Sequence, residues 1–347
     1  AGVAPVNDAP ELEYFPRWIA DGHGGEMKYL EARDDQGRLK RASLAHAAPW
    51  ARSVVVCAIN YNTAQPYSTQ MPDNSANAQQ RGWISRYAWG EQDYHDSVMP
   101  RLRQVERALR VAFGVDLVTR CYVDTGPIVE RVVAKYAGIG WIGKNTCIIN
   151  QKMGSWLFLG VILTSLDLEA DSESDSKVCV PAPDRCGTCT RCIDACPTHA
   201  FIAPYQLDSS RCIAYLTIEK RGSLPEDEEL RSGMGRHVFG CDICQDVCPW
   251  NRKAPATTAA EFQPRPELLN PALDCLAEIS EEDFRRTFRG SPVRRAKRAG
   301  LRRNAVIAMG NSGDQRFLPE LKKLAEDEDE AVAESAAWAI QKLSLVD

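Results

Sequence analysis

The spacing of hydrophobic positions changes repeatedly along this chain, and each change marks an element. Ser53-Val-Val-Val-Cys-Ala-Ile-Asn60 is a β-branched run between polar residues, the pattern of a buried strand. Over residues 98–113 the period becomes helical: Leu102, Val105, Leu109 and Ala112 share a face, with Arg101, Arg103 and Arg110 among the polar positions. Residues 117–123 read as another strand. Pro127 suits the first turn of a helix running to about Gly138, because a missing N–H costs nothing there. Residues 146–150 and 156–164 are apolar strands separated by the turn Met153-Gly154-Ser155. The alternation predicts an α/β unit over residues 1–165, a sheet packed with helices.

The pattern then breaks twice. Residues 166–178 are acidic and serine-rich, the composition of a solvated linker, and open a second unit expected over 166–258. After Pro264 helical spacing returns. Residues 303–309, a Gly310-Asn-Ser-Gly313 turn, residues 317–325, an acidic connection over 326–330 and residues 331–343 form one helical pair with a preceding helix. This resembles a single HEAT unit, so a HEAT-like helical domain is expected over 259–347. The fold class is α+β.

Composition narrows the class without naming a function. The 347 residues are 44% hydrophobic and 26% charged, an ordinary soluble chain of two or three domains. No apolar run approaches the ~18 residues of a membrane span. The opening residues lack a basic stretch followed by an apolar core, so no signal peptide is expected and the cytoplasm is the expected compartment. Net charge is −5, from 42 basic and 47 acidic residues, which argues against a nucleic-acid binder on average. The average conceals a local asymmetry. Arg285, Arg286, Arg289, Arg294, Arg295, Lys297, Arg298, Arg302 and Arg303 fall in a stretch, 285–303, with no acidic residue. Such a block beside a helical repeat predicts phosphate contact.

The strongest chemistry lies in the cysteines. One run reads Cys186-Gly-Thr-Cys189-Thr-Arg-Cys192-Ile-Asp-Ala-Cys196-Pro197 and a second reads Cys241-Asp-Ile-Cys244-Gln-Asp-Val-Cys248-Pro249, with Cys212 between them. In two-cluster ferredoxins the run C-x2-C-x2-C-x3-C-P sends three thiolates to one cluster and the fourth to the other. That rule assigns Cys186, Cys189, Cys192 and Cys248 to one [4Fe-4S] cluster, and Cys196, Cys212, Cys241 and Cys244 to the other. Zinc sites stop at four ligands, and a disulfide framework suits a small secreted chain. Neither accounts for the doubled C-x3-C-P. The second unit is therefore a ferredoxin-like electron carrier. Cys57, Cys121, Cys147, Cys179 and Cys275 remain without a role, the first three as fillers of apolar runs.

The flanking segments carry more specific motifs. They are Arg86-Tyr87-Ala88-Trp89-Gly90, Asp93-Tyr94-His95, Val123-Asp124-Thr125-Gly126-Pro127-Ile128-Val129-Glu130-Arg131, Gly140-Trp141-Ile-Gly143-Lys144-Asn145-Thr146 and Cys241-Asp-Ile-Cys-Gln245-Asp-Val-Cys-Pro-Trp-Asn251. This ordered set resembles the epoxyqueuosine reductases, cobalamin-dependent enzymes of the last step of queuosine synthesis in tRNA. The resemblance extends from Gly24-Gly-Glu-Met27 to the helical C-terminus. It implies a nitroreductase-like cobalamin domain, a two-cluster domain and a tRNA-docking helical domain. It implies base-off cobalamin without a protein histidine. In keeping with that, Asp21-Gly-His23-Gly-Gly25 misses the D-x-H-x-x-G pattern of axial-histidine enzymes by one place.

The resemblance also implies roles. Asp124 matches the family's proton donor, and to act as an acid it must be held protonated by desolvation under the corrin. Arg41, Ile148, Leu159 and Ile162 match corrin-lining positions, and Asp242 and Gln245 are expected to face the corrin as well. Arg131, Lys220 and Arg221 match tRNA-contacting positions, with Arg131 expected on one helical face with Asp124 and Ile128. Arg294, Arg295, Lys297 and Arg298 are expected to meet tRNA phosphates. The expected reaction is the two-electron deoxygenation of the epoxide, with electrons passing through the clusters from an external flavodoxin- or ferredoxin-type donor to a monomer. The cluster of Cys196, Cys212, Cys241 and Cys244 is expected to be the inner one. Two rivals share part of the plan. A reductive dehalogenase pairs cobalamin with two clusters but has an export signal and no basic helical tail. A plain electron carrier would need neither Asp124 nor a long leading domain.

Overall fold

The computed structural model describes residues 1–70, 80–114, 116–169 and 181–345. The expected linker lies, from residue 170 onward, outside the described residues, as does Cys179. The main sheet contains strands β1 (Gly2–Pro5), β2 (Ser53–Asn60), β3 (Thr119–Tyr122) and β4 (Leu157–Thr164) in the order β1-β2-β4-β3. Every pairing is antiparallel, although helices separate the strands in sequence. β2 and β4 pair along their whole length, from Ser53 opposite Thr164 to Asn60 opposite Leu157. Val54 and Val56 face one core with Val161 and Leu163, while Val55 and Ile162 face another. Both faces of the sheet are covered, which is why β2 reads as a continuous apolar run.

Helix α1 (Tyr94–Phe113) packs on one face of the sheet and α2 (Glu130–Tyr136) on the other. α1 begins four residues earlier than the periodicity predicts, where Asp93 caps the His95 amide. Its buried stripe is Val98, Leu102 and Glu106, so Val105 and Ala112 face solvent instead of the sheet. Glu106 can occupy the inner face because Thr119, Arg103 and Arg110 all donate to its carboxylate. Burial alone would raise its pKa, but these donors bring the carboxyl down to about 2. α2 also departs from expectation. It starts at Glu130, and residues 124–129 form a bend, so Pro127 precedes the helix rather than opening it.

The cysteine-bearing segment is built from short turns and fastens onto the sheet. Gly154 turns at φ +71 with the Asn251 side chain against its Cα, so a side chain there would meet Asn251. Asn251 accepts from the Ser155 amide (2.7 Å) and donates to Ser155 Oγ (2.9 Å) and to the Gln245 carbonyl (2.7 Å). The short strand Trp83–Ile84, from the first segment, pairs parallel with His237–Phe239. Trp83, Ile84 and Trp89 are buried in one core with the C-terminal helices.

That core surrounds helix α3 (Lys297–Asn311), which packs on α4 (Glu330–Ser344). A Cβ on Gly310 would lie 2.8 Å from that of Ala339, so glycine sets how closely the two helices approach. Residues 301–310 are buried without interruption, including Arg302, Arg303 and Asn304. Arg303, 1% exposed, donates to the carbonyls of Leu216 (2.6 Å), Lys220 (3.1 Å) and Gly222 (2.6 Å). Arg302 donates to the Ala277 carbonyl (2.7 Å) and pairs with Asp327. Two members of the basic block are therefore internal struts, because each guanidinium finds acceptors that satisfy its donors in the core. Among the described residues no helix is long and apolar enough to cross a membrane.

Candidate active site

A cavity of ≈ 1070 Å³ opens where the three segments meet. The ends of β2 and β4 contribute Tyr61, Leu157, Phe158 and Leu159. The cysteine-bearing segment contributes Cys212, Ala214, Gly240, Cys241 and Gln245. A third wall holds Asp93, Tyr94, His95, Asp124, Glu130 and Arg131, and the rim holds Arg285, Arg294, Arg295, Lys297 and Arg298.

Asp124 reaches the cavity by an unusual backbone. It is a non-glycine residue at φ +61 in the bend between β3 and α2, and its side chain is exposed to the cavity. Such a conformation persists only where its surroundings fix it. Hydrogen bonds from three residues do so here. The Thr125 amide bonds back to the Val123 carbonyl (2.7 Å). Arg41 donates to the Gly126 carbonyl and to the Tyr29 carbonyl, each at 2.8 Å. Tyr94 Oη donates to Asp124 Oδ2 (2.7 Å). Burial and the nearby Asp124 charge push the Tyr94 phenol up, so it remains a donor. Its ring stacks on Phe158 at 4.5 Å and on His95 at 4.1 Å.

The neighbouring groups are also tuned. His95 Nδ1 lies 2.7 Å from Asp93 Oδ1. Burial opposes its charge, but Asp93 outweighs burial and raises the His95 pKa. Glu130 opens α2, and burial pushes its carboxyl up to about 7, with the Asp124 charge adding to the effect. Arg131 donates to the Thr146 carbonyl (3.0 Å). Since α2 starts at Glu130, Arg131 does not share a helical face with Asp124 and Ile128; the bend brings Asp124 to the same cavity instead.

Several thiols that the spacing groups together lie near enough to act on one another. Burial and the nearby thiols of Cys186 and Cys189 push Cys192 up to about 11, and Cys186 and Cys192 contribute to the rise of Cys248. Cys241 is pushed up by burial and by the thiols of Cys212 and Cys196, and Cys212 and Cys241 also act on Cys244. Among the described residues no three His, Cys, Asp or Glu side chains converge tightly enough for a single metal ion. Cys147 is more than a filler of an apolar run, for it lies within hydrogen-bonding reach of Cys244.

Two family models match the chain. One, described as a 4Fe-4S double cluster binding domain, covers residues 185–251; the other, described as epoxyqueuosine reductase QueG, covers residues 41–125. The chain is 38% identical over 342 residues to the epoxyqueuosine reductase of Pseudomonas aeruginosa, spanning 98% of this chain and 90% of that one. It is 42% identical over 308 residues to that of Synechocystis sp., 88% of this chain and 98% of the relative. The chain belongs to the epoxyqueuosine reductase family. A solved epoxyqueuosine reductase with a tRNA-Tyr epoxyqueuosine-modified stem loop superposes with a TM-score of 0.81 at 33% identity, covering 99% of this chain and 85% of that one. The Bacillus subtilis enzyme, described with its catalytic aspartate loop swung out of the active site, superposes at 0.82 with 32% identity, over 99% and 86%.

Of the positions singled out by resemblance to the epoxyqueuosine reductases, Asp124, Arg131, Leu159, Gln245, Arg294, Arg295, Lys297 and Arg298 line the cavity. Others lie behind it. Arg41 braces the Asp124 bend. Ile148 and Ile162 are 4% and 0% exposed, in the cores on opposite faces of the sheet. Asp242 is 1% exposed, and its carboxylate accepts from Trp83 Nε1 (3.0 Å), Ser85 Oγ (2.5 Å) and the Arg86 amide (2.8 Å). Lys220 pairs with Glu26 (2.5 Å), and Arg221 donates to the carbonyls of Ile218 and Arg295 (2.7 Å each). Arg295 is itself engaged, by Glu219 at 2.6 Å and by the Tyr29 ring at 5.6 Å. Tyr29, Tyr94, His95 and Glu130 were missed as site residues, although Tyr94, His95 and Glu130 fall within the motifs that carry the family resemblance. The cysteine assignment has a direct check. Cys212→Ala should lose about half of the bound iron, whereas Cys57→Ala should lose none; equal loss in both would overturn the assignment.

Proposed function

We propose that this chain reduces epoxyqueuosine to queuosine at the wobble position of tRNA, by a two-electron removal of the epoxide oxygen as water. One observation carries the proposal. Cys212 and Cys241, assigned to one cluster, line the same cavity as the Asp124 carboxyl and five basic side chains, Arg285, Arg294, Arg295, Lys297 and Arg298. Electrons, a proton donor and a site for RNA phosphates therefore converge at one place. Unpaired loop bases are the part of an RNA that can be splayed into such a pocket.

The nitroreductase-like and HEAT-like descriptions of the outer segments belong to this reading, as does base-off cobalamin. The cavity exceeds the ~300–1,000 Å³ of pockets for drug-sized ligands and has an apolar flank, Leu157, Phe158 and Leu159, which suits a corrin. Leu159 and Gln245 would hold the corrin directly. Ile148, Ile162 and Asp242 would act from behind by shaping the strands and the cluster loop. Bound cobalamin would supply a strongly reducing centre able to bring two electrons to one carbon–oxygen bond. The remaining work falls to side chains. Asp124, steadied by Tyr94, protonates the departing oxygen. Leu157, Phe158 and Leu159 exclude water. Arg131 reaches into the cavity where the nucleoside enters. The outer cluster, bounded by exposed Arg185, Gly187 and Thr188, would accept electrons from a flavodoxin- or ferredoxin-type donor. We take the chain to act as a monomer in the cytoplasm.

An anaerobic assay on an epoxyqueuosine-containing stem loop, with and without added cobalamin, tests the proposal. The wild type should remove one oxygen from the nucleoside only with cobalamin, and Asp124→Asn should lower the rate by roughly 10²-fold or more. No oxygen loss in the wild type would overturn the function, and full activity of Asp124→Asn would overturn the acid. The rim has its own test. Arg294 and Lys297 make no ion pair among the described residues, so both are available to phosphates. Arg294→Glu with Lys297→Glu should weaken stem-loop binding and flatten its salt dependence by about one unit of slope per lost contact. Unchanged affinity at low salt would remove the rim from the RNA interface.

A further inference from the structure

The reaction consumes two protons, and Asp124 can release only one before it must be recharged. A nearby acid can supply that second proton within the turnover, and the cavity wall holds a carboxyl that nothing so far employs. Glu130 lines the cavity at the first turn of α2, directly after the bend that carries Asp124. Its Oε1 is buried and has no hydrogen-bond partner. Arg131, its neighbour in sequence, turns its guanidinium to the Thr146 carbonyl and does not pair with it. The Glu130 backbone amide donates to the carboxyl, but burial outweighs it, so the acid form is favoured over the buried carboxylate.

We propose that Glu130 is the proton store of this site, a positioning residue that recharges Asp124 between the two proton transfers of each turnover. The inference rests on the epoxide-reducing function proposed above and extends it. The steps balance. Two electrons arrive singly through the clusters. Asp124 protonates the epoxide oxygen as the first carbon–oxygen bond breaks. Glu130 passes its proton to the Asp124 carboxylate. Asp124 protonates the resulting hydroxyl as the second carbon–oxygen bond breaks, leaving an alkene and water. Glu130 is reprotonated from solvent through the cavity mouth.

The surroundings of Glu130 suit a store that is protonated near neutrality. The charged groups acting on it are Asp124 from the preceding bend, Arg41 from the turn Lys40–Ala42 and Arg131 from its own helix. β1, β2, β4 and the short strands Trp141–Ile142 and Ile148–Ile149 pack against α2 and carry no acidic or basic side chain, and the Cys57 thiol of β2 packs against the core on the other face of the sheet. Lys135, further along α2, is engaged by Glu11 and is not its partner. Burial, with the Asp124 charge, keeps the Glu130 proton until pH rises through about 7. The sign follows: the store is full below that range and empties above it.

The test is the pH profile of single-turnover deoxygenation in the clustered, cobalamin-loaded enzyme with a modified stem loop. Wild-type activity must first be present, which separates failure of the function from failure of this inference. The wild-type rate should fall as pH rises through the neutral range. Glu130→Gln should lower the rate roughly tenfold or more and remove that falling limb, with iron content and stem-loop affinity unchanged. Glu130→Asp, which keeps an acid, should recover part of the rate and retain the limb. A Glu130→Gln enzyme with wild-type rate and profile would overturn the proposal. So would a limb that survives Glu130→Gln and vanishes in His95→Gln, since His95 would then hold the proton. Equal rates and profiles for Glu130→Asp and Glu130→Gln would reduce Glu130 to a packing residue.

Discussion

The carboxylate of Asp242 is the fastening on which the site depends. It sits between Cys241 and Cys244 and takes its hydrogen bonds from Trp83, Ser85 and the Arg86 amide. A cluster loop is thereby fixed to a segment that lies far away in sequence and is itself packed among the C-terminal helices. Hydrogen bonds to a charged group contribute about 1.5–3 kcal/mol each, and desolvating the carboxylate offsets much of that gain. The value of the arrangement is therefore geometric. It fixes which way Cys241 faces, and Cys241 lines the cavity.

The other joints act in the same sense. Asn251 and Gln245 bind Ser155 at the start of β4, which sets the cluster segment against the sheet. Arg303 and Asn304 carry the carbonyls of the helix after Cys212 into the C-terminal core. Arg221 holds the backbone of the basic rim at Arg295. Each joint uses a polar side chain, buried in the case of Asn251, Arg303 and Asn304, to satisfy backbone groups that helices and strands leave free. The cavity is the space left between three bodies fixed in this way, and no single segment would form it.

Parts of this were legible in the sequence. The β2 run announced itself, because a strand covered on both faces must be apolar throughout. The double 4Fe-4S domain was legible in the cysteine spacing, and a 4Fe-4S double cluster model matches residues 185–251. Other parts were hidden by effects that local pattern does not carry. The helical phase of α1 was misread because Glu106, a charged residue, occupies the inner face through partners at 103, 110 and 119. Arg302 and Arg303 read as surface charge, since nothing local tells a guanidinium in solvent from one buried among carbonyls. Asp124 reaches its place through a left-handed backbone held by Arg41 and Tyr94, contacts that join residues distant in sequence.

The central claim is that one cavity brings cobalamin, the inner cluster and the Asp124 wall together. Electron paramagnetic resonance of the chain loaded with cobalamin and both clusters tests it most directly. Reducing the clusters should perturb the cobalt signal through spin coupling, because Cys212 and Cys241 line the cavity proposed to hold the corrin. A cobalt signal indifferent to the redox state of both clusters would contradict it.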